Sequence, residues 1–591
     1  MPGARALALM FLLATALPCP AQVAAPPGSA ARPGQVGAPG SPQMPPRDRA
    51  AVASGTARLR GTVVSADTGA PLRRALVRVN ARDQRQGRSV STDANGRFEA
   101  RDLPAGRYQV SASKSGFVQL AYGQRRPYES GRPLELRDGE TLERVDFSLP
   151  RAGVITGHIV DEFGEPVSDA MVQALRSVYM RGRRRLMPAG RIAQSNDIGV
   201  YRVFGLPPGE YIVSATLGSR DFGEQNQDAS GYAPTYYPGT LNVAEAQRVA
   251  VAVGQEAGAD FQLTPTRLSR ISGTVADSSG RPLGSGSVIL TRRFDGDGAG
   301  TSTVFMIGGN TERLQQDGTF RLTNVAPGTY SLNVTSGGRG GRGGGPPMLE
   351  PGDPSAEYAS IPLTVAGEDI ENLAVQTSRS LVIRGRVVTE GTPPSFSPSQ
   401  LTVVVESRDS EGSQTFVFAG GRPSVRDDWT FELTAFPGAR TVRVLGIPDG
   451  WQLKAVTLGG ADVTDSGFEV RAGQSPGALR VVLTSQVTEV AGTVSDGRGD
   501  PVRDYTVVVF PEDRALLDLP SDRYVRTARP DQDGRYRIEG IPPGQYLAVA
   551  VESPGDDGSP SPEMLESWRS LASPVRLVEG ERRNVPLKLA Q

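Results

Sequence analysis

The chain has 591 residues, with 71 Gly, 47 Pro and only 6% aromatic residues, a composition that suits a turn-rich β protein and argues against a helical bundle. Lys plus Arg and Asp plus Glu are both 64, so no net field draws the chain to nucleic acid or to an anionic membrane surface. A single His, His158, and a single Cys, Cys19, leave too few residues for a multi-histidine zinc centre or a Ser-His-Asp triad.

The first residues read as an export signal. Arg5 precedes the apolar run Ala6 to Leu17, which is too short to span a bilayer. Small side chains at Cys19 and Ala21 predict cleavage after Ala21, giving a signal peptide over 1–21. Lipidation of Cys19 is the rival reading, and Pro18 directly before it argues against it. Cleavage after Ala21 leaves a mature chain without cysteine, so an exported protein without disulfides must rely on apolar cores. No later run is apolar enough for a transmembrane helix, so no integral membrane segment is expected in the mature chain. Residues 22–56 are rich in Pro, Ala and Gly, with almost no large apolar residue, and predict a disordered linker.

From there a repeat organises the chain. Five openings follow one another: LRGTVVSADTGAP from Leu59, ITGHIVDEFGEP from Ile155, ISGTVADSSGRP from Ile271, IRGRVVTEGTPP from Ile383 and VAGTVSDGRGDP from Val490. Their shared glycines are Gly61, Gly157, Gly273, Gly385 and Gly492, separated by 96, 116, 112 and 107 residues. A second landmark, an Asp or Asn turn followed by a Pro/Ala-Gly turn, trails each opening. Its glycines are Gly106, Gly209, Gly328, Gly438 and Gly544, which lie 45, 52, 55, 53 and 52 residues after the opening glycines. Between landmarks apolar residues alternate with polar ones, as at Val77 and Val79, at Tyr108, Val110 and Ala112, and at Val145, Phe147 and Leu149. Period two predicts half-buried antiparallel strands, and the turn residues predict where they end. Six or seven short strands per hundred residues predict a β-sandwich per copy.

The pattern G-x-V-x-D-x-x-G-x-P, then D-x-x-G-x-(F/Y), then (L/I)-P-P-G-x-Y resembles the carboxypeptidase regulatory-like domain of bacterial exported proteins. The resemblance implies a transthyretin-like, or prealbumin-like, seven-stranded β-sandwich, and it implies export and fold more than an activity. It is specific in copies one, two and five. Copy three has VAPGTY at the second landmark, and copy four has FPGART and no Gly in its Asp turn. The expected all-β architecture is therefore a tandem array of about five sandwiches at 57–150, 151–266, 267–379, 380–486 (degenerate) and 487–591. Relatives of this sandwich include carbohydrate-binding modules and surface adhesin repeats. Some relatives cross-link themselves through Lys–Asn isopeptide bonds. With only Lys114, Lys454 and Lys588 over five copies, that is no general stabiliser here.

Several segments invite functional readings. His158 lies in an opening strand, where an ordinary strand residue is expected. DGDG at Asp295 and DQDGRY at Asp531 look like calcium loops, but neither has the full ligand pattern, and the second is a copy of the repeated turn. The Gly-rich tract from Gly337 lacks aromatic residues for stacking on bases and reads as a loop. RGRRRL from Arg181 reads as a solvated loop tip. SPEMLESWRSLA from Ser561 predicts a short helix capped by Ser561, with Met564, Leu565, Trp568, Leu571 and Ala572 on one face packed against the last sandwich. A partner-binding helix is the alternative.

The candidate binding surface is the variable slot after the second landmark. The first copy places Tyr122 and Tyr128 there, beside Phe117. The second places Tyr232, Tyr236 and Tyr237 there, between Pro234 and Pro238. Variable loops on a rigid sandwich often bind, and Tyr flanked by Pro makes a stacking platform. The alternative is that these rings cover a sandwich edge. The expected function is a non-catalytic, exported structural and interaction protein in the periplasm, on the cell surface or secreted. Its expected partner is a polysaccharide or an envelope protein, with no cofactor and no metal. Polysaccharide binding through the Tyr loops is the runner-up function.

Overall fold

A computed structural model of the chain describes residues 55–590, apart from 82–86, 181–182, 218–229, 294–298, 301–310, 337–354, 409–423, 475–476, 518, 520–522 and 556–557. The expected signal peptide, Cys19, nearly all of the linker, the Asp295 stretch, the Gly337 tract and Arg181 lie outside the described residues. Strands dominate, and the described α-helix is a single one, Pro562–Trp568. No described helix is long and apolar enough to cross a membrane.

Each copy builds two sheets. In the first copy the opening strand Ala57–Ser65 pairs antiparallel with Arg97–Leu103. It also pairs in parallel with the closing segments Thr141–Leu142 and Phe147–Leu149. The second sheet runs Arg88–Ser91, Leu76–Ala81, Gly106–Ser113 and Leu120–Ala121, with Leu134–Leu136 also on Gly106–Ser113. The other copies repeat the scheme: opening strands Gly153–Val160, Ser269–Ala276, Leu381–Glu390 and Glu489–Ser495 each pair antiparallel with the strand after the Asp turn and in parallel with a closing strand. In the fourth copy the hairpin Gln452–Leu458 and Ala461–Asp462 joins this first sheet as well.

Alternation does the burying. Strand Leu76–Ala81 buries Val77, Val79 and Ala81, and the facing strand buries Tyr108, Val110 and Ala112. Five principal clusters of buried apolar residues result. They span Ala57 to Leu149, Ile155 to Leu263, Ile271 to Val375, Ile383 to Leu483 and Val490 to Leu587. Fully burying one such aliphatic or aromatic side chain contributes about 1.5–3 kcal/mol, which is the term that holds a cysteine-poor chain together.

The repeated opening glycine has a steric cause. The closing chain passes over it between its two pairing segments, with Val145 N–H donating to Arg60 O at 3.0 Å. A Cβ at Gly61, Gly157, Gly273 or Gly492 would overlap the carbonyl oxygen of Val145, Ala259, Leu373 or Val585, and one at Gly385 would overlap the Phe431 ring.

The C-terminal helix forms as expected. Ser561 Oγ accepts from Met564 N–H at 3.3 Å, and Leu565 sinks into a cluster with Val508, Phe510, Leu547, Val549 and Val551. Trp568 and Ala572 pack on the same cluster, whereas Leu571 is exposed and leaves the expected stripe.

Candidate functional site

The landmark residues spend their polar groups on the backbone. Asp93 Oδ1 accepts from Asn95 N–H and Arg97 N–H, both at 2.8 Å. Asn196 does the same for Ile198 and Val200, and Asp531 for Asp533 and Arg535. The Asp531 carboxylate of DQDGRY is thus occupied in closing its turn. Among the described residues no group of three or more His, Cys, Asp or Glu is arranged to hold a metal ion.

The Pro-Pro-Gly-x-Tyr landmark has an equally local purpose. The Tyr108 hydroxyl donates to Pro104 O at 2.7 Å, Tyr211 to Pro207 O at 2.5 Å, Tyr330 to Ala326 O at 2.7 Å and Tyr546 to Pro542 O at 2.8 Å. Each ties a strand to the carbonyl four residues back. In the fourth copy Arg440 takes over: its Nε donates to Phe436 O at 2.8 Å and its Nη2 to Pro437 O at 2.6 Å. FPGART therefore preserves the bond without the aromatic ring. The missing glycine of that copy has a different outcome. Trp429 adopts φ 66°, where Gly96, Gly199, Gly318 and Gly534 stand at 72°, 72°, 79° and 80°. A bulky residue in the left-handed region costs on the order of 1–3 kcal/mol. Its ring packs edge-to-face on Phe396 at 5.8 Å, and Phe396 meets Trp451 at 5.5 Å.

The five tyrosines singled out from sequence do not form one platform. Tyr122 is half-buried against the first core and meets Phe147 edge-to-face at 6.2 Å. Tyr128, at φ 68°, shares a hydrogen bond with the Tyr211 hydroxyl at 3.2 Å, and the Arg176 guanidinium lies 3.1 Å from its ring centroid. Tyr232 is half-buried; burial first, and its hydrogen bond to Glu162 second, raise its hydroxyl above the usual range. Tyr237 packs on Phe261 at 6.4 Å. Tyr236 is the correction. It is 2% exposed and sits with Leu175 and Leu186 under Val243 and Ala246. Burial pushes its hydroxyl up to about 12. The short 3-10 turn Val243–Glu245 contributes Val243 to that cover, so the ring has no open face. His158 is exposed, with Nδ1 3.4 Å from Asp260 Oδ1, on the outside of its strand.

The most developed polar cluster joins the first copy to the last, and nothing in the sequence reading pointed to it. Arg529 and Glu129 are 4% and 8% exposed. Arg529 Nη1 donates to Glu129 Oε2 at 2.9 Å, and Nη2 donates to Gly123 O at 3.2 Å and to Asp504. Arg125 pairs with Asp504 at 2.8 Å. Arg132 Nε donates to Pro530 O at 3.2 Å and Nη2 to Asp531 O at 2.5 Å. Glu135 and Gln532 exchange two bonds, Glu135 N–H to Gln532 Oε1 at 3.2 Å and Gln532 Nε2 to Glu135 O at 3.1 Å. The segment ARPDQDG drew notice only for its turn, and RRPYESGR only for its tyrosine. A pairing across roughly 400 positions leaves no periodicity to read.

Beside this joint lies a polar cavity of about 1120 Å³. It is lined by Glu135 and Arg137 from the first copy, Thr392 and Asp449 from the fourth, and Arg537 and Glu539 from the fifth.

Residues 58–150 match the family model of the carboxypeptidase regulatory-like domain. No curated protein matches the sequence. Among solved structures, the minor pilin of Streptococcus agalactiae is similar at 11% identity and a TM-score of 0.21, over 35% of this chain and 95% of that one. The major pilin subunit of Bacillus cereus is similar at 12% identity and a TM-score of 0.13, over 55% and 99%. Two B repeat units of the collagen-binding protein of Staphylococcus aureus are similar at 12% identity and a TM-score of 0.11, over 73% and 100%.

Proposed function

We propose that this chain is a non-catalytic, exported structural protein of the cell envelope that presents five sandwich modules, at 57–150, 151–266, 267–379, 380–486 and 487–591, as one interaction scaffold. The observation that carries this reading is the closure of the chain on itself. The buried Arg529–Glu129 pair fixes the first copy against the last, while the landmark Asp and Tyr side chains are consumed in turns and corners. Rigid sandwiches with variable loops then offer surfaces to envelope partners. The test is fractionation of native cells followed by pull-down with the full chain. Recovery in the envelope or medium with a reproducible envelope partner supports it. Recovery in the cytoplasm, or hydrolytic turnover by the purified chain, overturns it.

A second reading, polysaccharide binding, draws on the fourth copy. Two of the three Trp of the chain meet there around Phe396, half-buried, with backbone strain at Trp429. Indole faces stack on the apolar faces of sugar rings. Of the tyrosines, Tyr237, Tyr232, Tyr122 and Tyr128 retain partial exposure and stay in this reading, and Tyr236 leaves it. Retardation in polysaccharide gels, lost in Trp451→Ala, is the expected result. Equal migration with and without polysaccharide rejects it.

A further inference from the structure

We propose that the surface formed by Asp504, Arg529 and the turn Pro530–Gln532 is a docking site for the loop 123–135 of this same chain, and that the contact is exchangeable between copies, joining chains head to tail.

Both halves are shaped before they meet. On the loop side Gln124 Oε1 accepts from Ala121 N–H at 2.7 Å, and Gln124 Nε2 donates to Arg126 O at 2.9 Å. Glu129 Oε2 accepts from Arg125 N–H at 3.3 Å and Arg126 N–H at 3.2 Å, so its carboxylate is already aimed when the guanidinium arrives. Arg132 N–H donates to Tyr122 O at 2.7 Å and closes the loop. On the other side the turn is held by Asp531 through Asp533 N–H and Arg535 N–H, each at 2.9 Å. Two preformed surfaces lose little conformational freedom on meeting.

The chemistry is selective. One buried guanidinium is shared between carboxylates from the two sides, Glu129 and Asp504, and the backbone carbonyl of Gly123 accepts a further bond from it. The reciprocal Glu135–Gln532 pair sets the register beside it. A partner lacking the Glu129 carboxylate would leave a cation buried against too few acceptors, so an unrelated loop is rejected.

No linker enforces this contact. Its residues stand about 400 positions apart, whereas the strands of neighbouring copies are joined by one to four residues of chain. A copy whose first and last modules part therefore offers both complementary faces to another copy. The exchanged contact is heterologous, so it propagates into closed rings or open chains. Within one chain the effective concentration of the two faces favours closure, so the exchanged form grows with protein concentration.

The test uses the full chain with Cys19→Ser, which removes its single cysteine. One variant carries Glu135→Cys together with Gln532→Cys, and two others carry one each. A short bismaleimide should cross-link the double variant within one chain, giving a faster-migrating band on a denaturing gel. Equimolar single variants, mixed at high concentration, should give a cross-linked dimer that falls away on dilution. Arg529→Ala should lower both products at least tenfold while the β-sheet circular dichroism is retained. Glu129→Gln, which keeps the loop's shape, should lower both products as well. Absence of the intrachain product, or its indifference to both Arg529→Ala and Glu129→Gln, overturns the docking site. An intrachain product with no dimer at any concentration overturns the exchange.

Discussion

The joint between the first and last copies and the joint between the third and fourth are built from opposite materials. At the first, a buried guanidinium, two carboxylates and a ladder of directed hydrogen bonds hold segments remote in sequence. At the second, Ala356 and Phe436 are buried together and Tyr358 stacks on Phe436 at 4.7 Å. The second to third joint has a small apolar cluster of Ala233, Leu268 and Ala326 as well, beside backbone pairing of Arg184 and Arg185 with Ala299 and Gly300. The difference follows from what the chain already fixes. The third and fourth copies, adjacent in sequence, are already held near each other, and a small apolar contact adds to that restraint; the fourth and fifth, also adjacent, add directed bonds from Arg523 and Tyr524 to Asp465. Copies at the two ends have no such constraint, and only a register-specific contact selects one arrangement from many.

The comparison breaks most visibly at Arg529. Arg529→Ala leaves the Glu129 carboxylate buried without its cation and should cost the joint about 3–5 kcal/mol. Hydrogen exchange should rise by two orders of magnitude or more across 123–135 and 529–532 while the five apolar cores stay protected. Unchanged protection there would show that the pair contributes little. Next comes the apolar joint. Phe436→Ala removes a side chain 4% exposed and should cost about 3–5 kcal/mol, read in thermal unfolding as loss of cooperativity between the third and fourth copies. An effect confined to the first and last copies would be inconsistent with the contact described. Tyr128→Phe is milder. It removes the hydrogen bond to Tyr211 but keeps the ring beneath Arg176, so about 0.5–1.5 kcal/mol should be lost. Tyr128→Ala should lose clearly more than Tyr128→Phe, and equal losses would discount the ring.

The smallest effect is a pH dependence carried by turns of the third and fourth copies. The Asp277 carboxyl is held down at about 2 by the Ser279 hydroxyl and the Arg281 backbone N–H, and Asp317 and Asp428 are lowered by Thr319 and Thr430. A carboxyl depressed by folding contributes stability that is present above its unfolded value near 4 and is lost as pH falls through the folded value. Denaturation midpoints should stay level from pH 7 to 5 and fall between pH 4 and 2. Asp277→Ala should flatten part of that fall, and an unaltered profile would exclude the turn as its source.

Strand alternation and the paired Gly and Asp landmarks made the all-β fold legible, because each arises from contacts within a few residues. The same locality limited the rest. Arg440 was unreadable as a corner residue because composition rules expect a phenol there, whereas the carbonyl of Phe436 needs only a donor of the right reach. Tyr236 was misjudged because a two-residue strand shows no period, and the cover from Val243 comes from a later turn. The Arg529–Glu129 joint left no trace, since charge pairs formed by tertiary approach follow no spacing along the chain.

Small-angle X-ray scattering of the full chain beside Glu129→Ala tests the closed arrangement most directly. The account predicts a compact wild-type profile and an increase in radius of gyration on the order of 5–10 Å in the variant, as the end copies separate from a closed body. Identical profiles, with the wild type already extended as a string of separate units, would contradict it.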